Sequence, residues 1–219
     1  MLFVLVFTTP GRADRINLPD LGDPAESALS LVKEKEIGQE IMQQIRDKHV
    51  MVDDLIVQEY ISSLGHLLAS NADSALHDFT FFVIGDPTIN AFALPGGYIG
   101  INAGLITTTE DESELAAVVA HEIAHVTQRH IARAFFHNEN MQAPFLAAMI
   151  AGILLGGEAA KAAVAAATAG SVQSQINFTR KNEYEADHVG IGLLGRSGFD
   201  AYSMATIFEK MQRQSRLYG

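Results

Sequence analysis

The sequence predicts an α+β domain, mainly helical, in which a small and mostly antiparallel sheet packs on a pair of metal-binding helices. Three observations carry that prediction. The pentapeptide His121-Glu-Ile-Ala-His125 lies inside the apolar run Leu115 to Val126, and residues four apart share one helix face. A second stretch, Asn182-Glu-Tyr-Glu-Ala-Asp187, repeats the four-residue spacing with two carboxylates, Glu183 and Asp187. Between them and the N-terminal helices, residues 78–102 are rich in Phe, Val and Ile and are broken by Pro95-Gly96-Gly97, the pattern of short strands around a turn.

Taken in order, residues 1–13 are a short apolar run ending in Gly11-Arg-Ala13, with small residues at the two positions a signal peptidase reads. They are expected to be the remnant of an export signal cleaved before Asp14, although the basic segment that opens such signals is missing. Residues 14–29, with Pro19, Gly22 and Pro24, read as an extended arm, and 30–219 as one domain. The spacing of Ile37, Ile41 and Ile45 marks a helix from about Ser30 to Lys48. Leu55, Tyr60, Ile61, Leu64 and Leu68 mark a second from Asp53 to about Ala69. Strands follow at 78–85, 89–94 and 98–102. Asp111 is a good N-cap with Glu114 three residues on, and with no Pro or Gly after Glu112 the next helix is expected to run to about Phe136.

Residues 143–157 carry no charge, but they fall short of the ~18 to 20 needed to span a bilayer. They read as core or helical-hairpin packing, with a flap near the cleft or a membrane-surface contact as the alternatives. Gly170 or Ser171 opens the segment leading to a helix that carries Glu183 and is expected to end near Gly195 or Gly198, and Asp200 is expected to cap a last helix through Ile207, Phe208 and Met211.

Composition narrows the function classes. A formal charge of -11 leaves no basic stripe for nucleic acid. The absence of Cys excludes disulfide scaffolds and thiolate metal sites, so any transition-metal site must use His and carboxylate. His121 and His125 present two imidazole nitrogens to one Zn²⁺, and Glu122 stands beside the ion, placed as a general base and not as a ligand. Glu183 supplies a third ligand and leaves a fourth position for water. Asp187, one turn on, is placed to accept a hydrogen bond from the outer nitrogen of a ligating His. His130 falls one residue away from the third histidine of the metzincin pattern, where Ile131 stands. At about 100° per residue it faces away from the other two and reads as a surface histidine. Glu185 reads as solvated. The oxyanion donor stays open, His130 and His188 being candidates by type only.

His-Glu-x-x-His with a downstream Glu-x-x-x-Asp resembles the gluzincin family that contains the CAAX prenyl proteases and the bacterial heat-shock membrane protease. Asn90-Ala-Phe-Ala-Leu-Pro-Gly-Gly97, His121 to His130 and Asn182 to Asp187 are more specific. They resemble the periplasmic branch that attends outer-membrane protein assembly, over about Leu18 to the end. The resemblance implies a zincin-like metalloprotease domain with one Zn²⁺ per chain on His121, His125 and Glu183. It further implies Glu122 as base, Asp187 supporting His121, Asn182 supporting His125, and misassembled outer-membrane proteins as substrates. Relatives of this branch continue into a loop whose histidine regulates metal access and then a helical-repeat domain. This sequence ends at Gly219 and is read as a fragment or a minimal catalytic form.

In zincins a sheet edge above the metal helix holds an extended substrate by strand addition, which gives Asn90, Ala91 and Phe92 a candidate substrate-contacting role. The expected function is thus a periplasmic zinc endopeptidase acting on extended or misfolded polypeptides. The rival is a zinc-stabilised, chaperone-like module that binds such chains without cutting them. Glu122 weighs against the rival, because a structural zinc site has no use for a base beside it.

Overall fold

Ser30 opens the first helix as its sequence predicts, its hydroxyl accepting the Lys33 amide at 3.3 Å. The computed structural model of the chain describes residues 29–48, 51–72, 78–137 and 172–218. The predicted leader, most of the arm, and 143–157 lie outside these residues. Helix α1 is Leu31–Asp47 and α2 is Leu55–Ser70, the latter capped by Asp54, whose carboxylate accepts from Ile56 and Val57. Then come β1 (Thr80–Ile84), β2 (Ala91–Leu94) and β3 (Tyr98–Asn102), a short helix α3 (Ala103–Thr108), and the helices α4 (Glu112–Thr127), α5 (His130–His137), α6 (Val172–Arg196) and α7 (Ser203–Tyr218). Among the described residues no helix is long and apolar enough to cross a membrane.

The sheet runs β1-β3-β2, with β3 parallel to β1 and antiparallel to β2. It is therefore mixed, where mostly antiparallel pairing was expected. Pro95-Gly96-Gly97 closes β2 and β3 into a hairpin, Gly96 and Gly97 taking φ of 79° and 85°, a backbone open to glycine at little cost. The loop from β1 instead carries the chain past β3 to the outer edge, so β3 inserts between its two predecessors. Alternation along the strands sorts the side chains into two cores. Phe81, Val83, Ile99 and Ile101 face α2 and α4, whereas Phe82, Ile84 and Leu94 face α1.

Helix α4 is buried along nearly its whole length, from Glu114 to Ala124 apart from Glu122, and packs against α6, α7, α2 and β2. Its start is as predicted, Asp111 accepting from the Glu114 amide at 2.9 Å while Glu114 accepts from the Glu110 amide at 2.8 Å. Its end is not. The helix stops at Thr127, Arg129 takes a left-handed φ of 53°, and α5 begins at His130. The break has no Pro or Gly because tertiary contacts hold it. The Arg129 guanidinium is buried against Glu34 of α1, at 2.7 and 3.2 Å, and donates to the Leu29 carbonyl at 2.6 Å. Those contacts offset a backbone strain of order 1 to 3 kcal/mol.

The last two helices close the domain. Asp200 sits three residues ahead of α7, accepting from the Tyr202 amide, and so shapes the turn into the helix instead of capping it. Helix α6 approaches α4 closely at Gly190, where a β-carbon would lie 3.2 Å from the His121 backbone and 3.1 Å from Met204. Such contacts are tight for Ala and closed to anything larger.

Two stability changes are expected. Gly190→Leu should force α6 off α4 and cost about 1 to 3 kcal/mol, as overpacking does, read as a lowered midpoint in chemical denaturation. Glu34→Ala should cost about 3 to 5 kcal/mol in the same measurement, because it strips a buried guanidinium of its carboxylate.

Candidate metal centre

Four residues of α4 and α6 meet where these helices are closest. His121 and His125, one turn apart on α4, bring their Nε2 atoms to 3.0 Å from each other. From α6, Glu183 places Oε2 3.4 Å from His121 Nε2 and Oε1 3.7 Å from His125 Nε2. The donor atoms of His121, His125 and Glu183 lie within 4.8 Å of one another, the one group of this kind among the described residues. Asp187 Oδ1 is 3.0 Å from His121 Nδ1, but off the line of the N–H, so the contact is electrostatic and not an aligned hydrogen bond.

The charges around this cluster call for a cation. Burial alone would lower the His121 pKa, but the contact with Glu183 and the nearby charges of Glu122, Glu183 and Asp187 outweigh it and raise the value. His125 goes the other way, pushed down to about 4 by burial and by the charge of His121, so its ring stays neutral with a lone pair to give. Glu183 is held below the usual carboxylate range, first by its hydrogen bond with His121. Two imidazole nitrogens and a carboxylate converging at these distances suit a divalent metal of the zinc type.

Glu122 leaves the helix toward the sheet. Its carboxyl is pushed up to about 7, mainly by burial and further by Glu183, while His121 and the Ala93 amide oppose the shift. That amide marks where the sheet meets the site. The Asn102 amide donates to the Asn90 carbonyl, and the β2–β3 register alternates from there. Asn90, Phe92 and Leu94 therefore turn their backbone groups toward β3, and Ala91 and Ala93 turn theirs to the edge that no other strand pairs among the described residues. Of Asn90, Ala91 and Phe92, only Ala91 leaves its backbone N–H and C=O outside the β2–β3 ladder, on the side that strand addition uses, although the residue itself is buried. The Phe92 ring packs edge-on against Phe82, with centroids 5.9 Å apart.

Three further expectations are corrected. His130 is not on the surface: it is 4% exposed, with Nδ1 2.8 Å from His125 Nδ1. The 100° rule fails because Arg129 breaks the helix and turns α5 back onto α4. Asn182 does not reach His125, whose outer nitrogen is taken by His130; its Oδ1 accepts from Arg133 at 3.3 Å. Glu185 is not free in solvent. It accepts from Arg133 at 2.9 Å and faces His130 Nε2 at 3.4 Å, and Arg133 holds its carboxyl below the usual range. Sequence reasoning missed Ala93 and Arg133 altogether, and no spacing signal could have found them, since each acts through a contact made by another element.

The family model for peptidase family M48 matches residues 56–217. The chain is 42% identical over 212 residues to the β-barrel assembly-enhancing protease of Escherichia coli, covering 94% of this chain and 43% of that protein. It is 39% identical over 202 residues to the protein of the same name from Yersinia pestis, covering 91% of this chain and 42% of the relative. With the mitochondrial metalloendopeptidase OMA1 of Schizosaccharomyces pombe it shares 36% identity over 130 residues, 59% of this chain and 36% of the relative. The chain thus spans well under half the length of these relatives.

Proposed function

The chain belongs to peptidase family M48, and from that membership we propose that it is a zinc-dependent endopeptidase domain acting on extended polypeptides. The observation that carries the proposal is the convergence of His121, His125 and Glu183 with Glu122 beside them, turned toward the edge of the sheet. His121, His125 and Glu183 would hold one Zn²⁺ per chain; a set of two imidazoles and one carboxylate is a known catalytic set for that metal. Bound there, zinc supplies a Lewis acid for a carbonyl and makes a water acidic near neutral pH.

The chain's own residues do the rest. The Ala93 N–H fixes the Glu122 carboxylate, which takes a proton from the attacking water at one carboxylate oxygen. The hydroxide joins the scissile carbonyl carbon, the C–N bond breaks, and Glu122 returns the proton to the departing amine. An extended segment paired along the free edge at Ala91 presents its backbone in one register, which orients the bond to be cut. Asp187 stands at His121 Nδ1 and favours the tautomer whose Nε2 points inward.

The names of the Escherichia coli and Yersinia pestis relatives speak of β-barrel assembly. We extend that to this chain as quality control of misassembled outer-membrane proteins after export to the periplasm. The apolar N-terminal residues and the 91–94% coverage of this chain by those alignments support the extension.

Metal analysis should find about one zinc per chain, lost in His121→Ala. Glu122→Gln should keep the metal and cleave an unfolded polypeptide about 10²- to 10⁴-fold more slowly. Equal cleavage by the two proteins would make this reading wrong, and binding without cleavage by the parent would favour the chaperone-like module. Dialysis against a chelator should abolish cleavage, and added zinc should restore it.

A further inference from the structure

Behind His125 runs a chain of contacts that the proteolytic reading does not use. Arg133 donates to Glu185 at 2.9 Å; Glu185 faces His130 Nε2 at 3.4 Å; and His130 Nδ1 lies 2.8 Å from His125 Nδ1. An arginine has no acceptor and does not lose its charge, so it sets the direction of every proton along the row. Glu185 is a carboxylate and can only accept, which puts the His130 hydrogen on Nε2. His130 Nδ1 then carries the lone pair and must accept from His125 Nδ1–H. That leaves the His125 Nε2 lone pair pointing at His121 and Glu183.

From this row we infer that His130, backed by Glu185 and Arg133, is the positioning residue for His125. It holds the ring in the tautomer and orientation that metal binding needs. The inference rests on the zinc reading above. It assigns His125 an outer partner unlike that of His121, whose Nδ1 faces a carboxylate directly. The inner end of the row is fixed by its surroundings. His130 is 4% exposed, and the left-handed Arg129 just before it is anchored by Glu34 and the Leu29 carbonyl, which fixes where α5 starts. Arg133 also donates to Asn182, the neighbour of Glu183, so one guanidinium ties α5 to the α6 turn that bears the third donor.

The zinc dissociation constant, measured by competition with a chromophoric chelator, tests this. Outer partners of a ligating histidine are typically worth about 10- to 100-fold in metal affinity. His130→Ala should weaken zinc binding by that order, and His130→Asn, whose Oδ1 can stand where Nδ1 stood, should recover most of it. Thermal unfolding of the two metal-free variants should agree. Unchanged affinity in His130→Ala overturns the inference, as does a loss that Asn fails to relieve, because packing alone then explains it. If His130→Ala does not fold, Glu185→Ala decides: an affinity on the order of tenfold weaker supports the row, and an unchanged one overturns it. A parent chain that takes up no zinc overturns the zinc reading itself, a failure distinct from either of these.

Discussion

A helix packed along most of its length cannot carry polar side chains there unless their polar atoms find partners, and beyond its exposed first turn α4 carries the imidazoles of His121 and His125 and the carboxylates of Glu114 and Glu122. An unpartnered polar group in such a place costs about 1 to 3 kcal/mol, a large share of a domain's stability. The arrangement around α4 answers most of that cost, with His121 Nδ1 left to a charge contact with Asp187 and no aligned hydrogen bond. Glu114 is used at the helix start and takes an ion pair from Lys210 of α7. Glu122 meets the Ala93 amide, His121 meets Glu183 and Asp187, and His125 meets Glu183 on one side and His130 on the other. What remains is a knot of donor atoms with excess negative charge, and a divalent cation is the partner that satisfies it.

The same constraint explains why so much of the chain bears on one turn of helix. Helix α6 must come close enough for Glu183 to reach both histidines, and Gly190 removes the side chain that would prevent it. The chain must break between α4 and α5 for His130 to reach His125, and the break is held from α1, through a buried ion pair that joins residues 95 positions apart. The sheet matters less for its size than for its edge. Because β3 takes the middle, β2 is left with one side unpaired among the described residues, and that side runs past Glu122. Scaffold and site are therefore one structure: a side chain at Gly190 would press on the His121 backbone, and loss of Glu34 reaches His130 through Arg129.

Much of this was legible in the chain. The start of the first helix near Ser30, the cap at Asp111, the apolar spacing of Ile37, Ile41 and Ile45, the turn at Gly96 and Gly97, and the four-residue steps from His121 to His125 and from Glu183 to Asp187 are local facts. Local backbone geometry converts them directly into structure. Two helices carrying a His pair and a carboxylate pair already imply a shared ion, because the groups at those positions share one face of each helix and few other partners suit them.

The order of residues along the chain thus settles the set of chemical groups and their spacing within each helix and strand. The tertiary structure alone decided how α5 sits on α4, which strand became the edge, and which residues stand behind the histidines. The reason is physical. A left-handed Arg129 is unfavourable in isolation and exists because Glu34 and the Leu29 carbonyl compensate it, so no periodicity read along 121–136 could place His130. Likewise, Ala93 and Arg133 gain their roles from a strand order and a helix break set by packing between segments far apart in the chain.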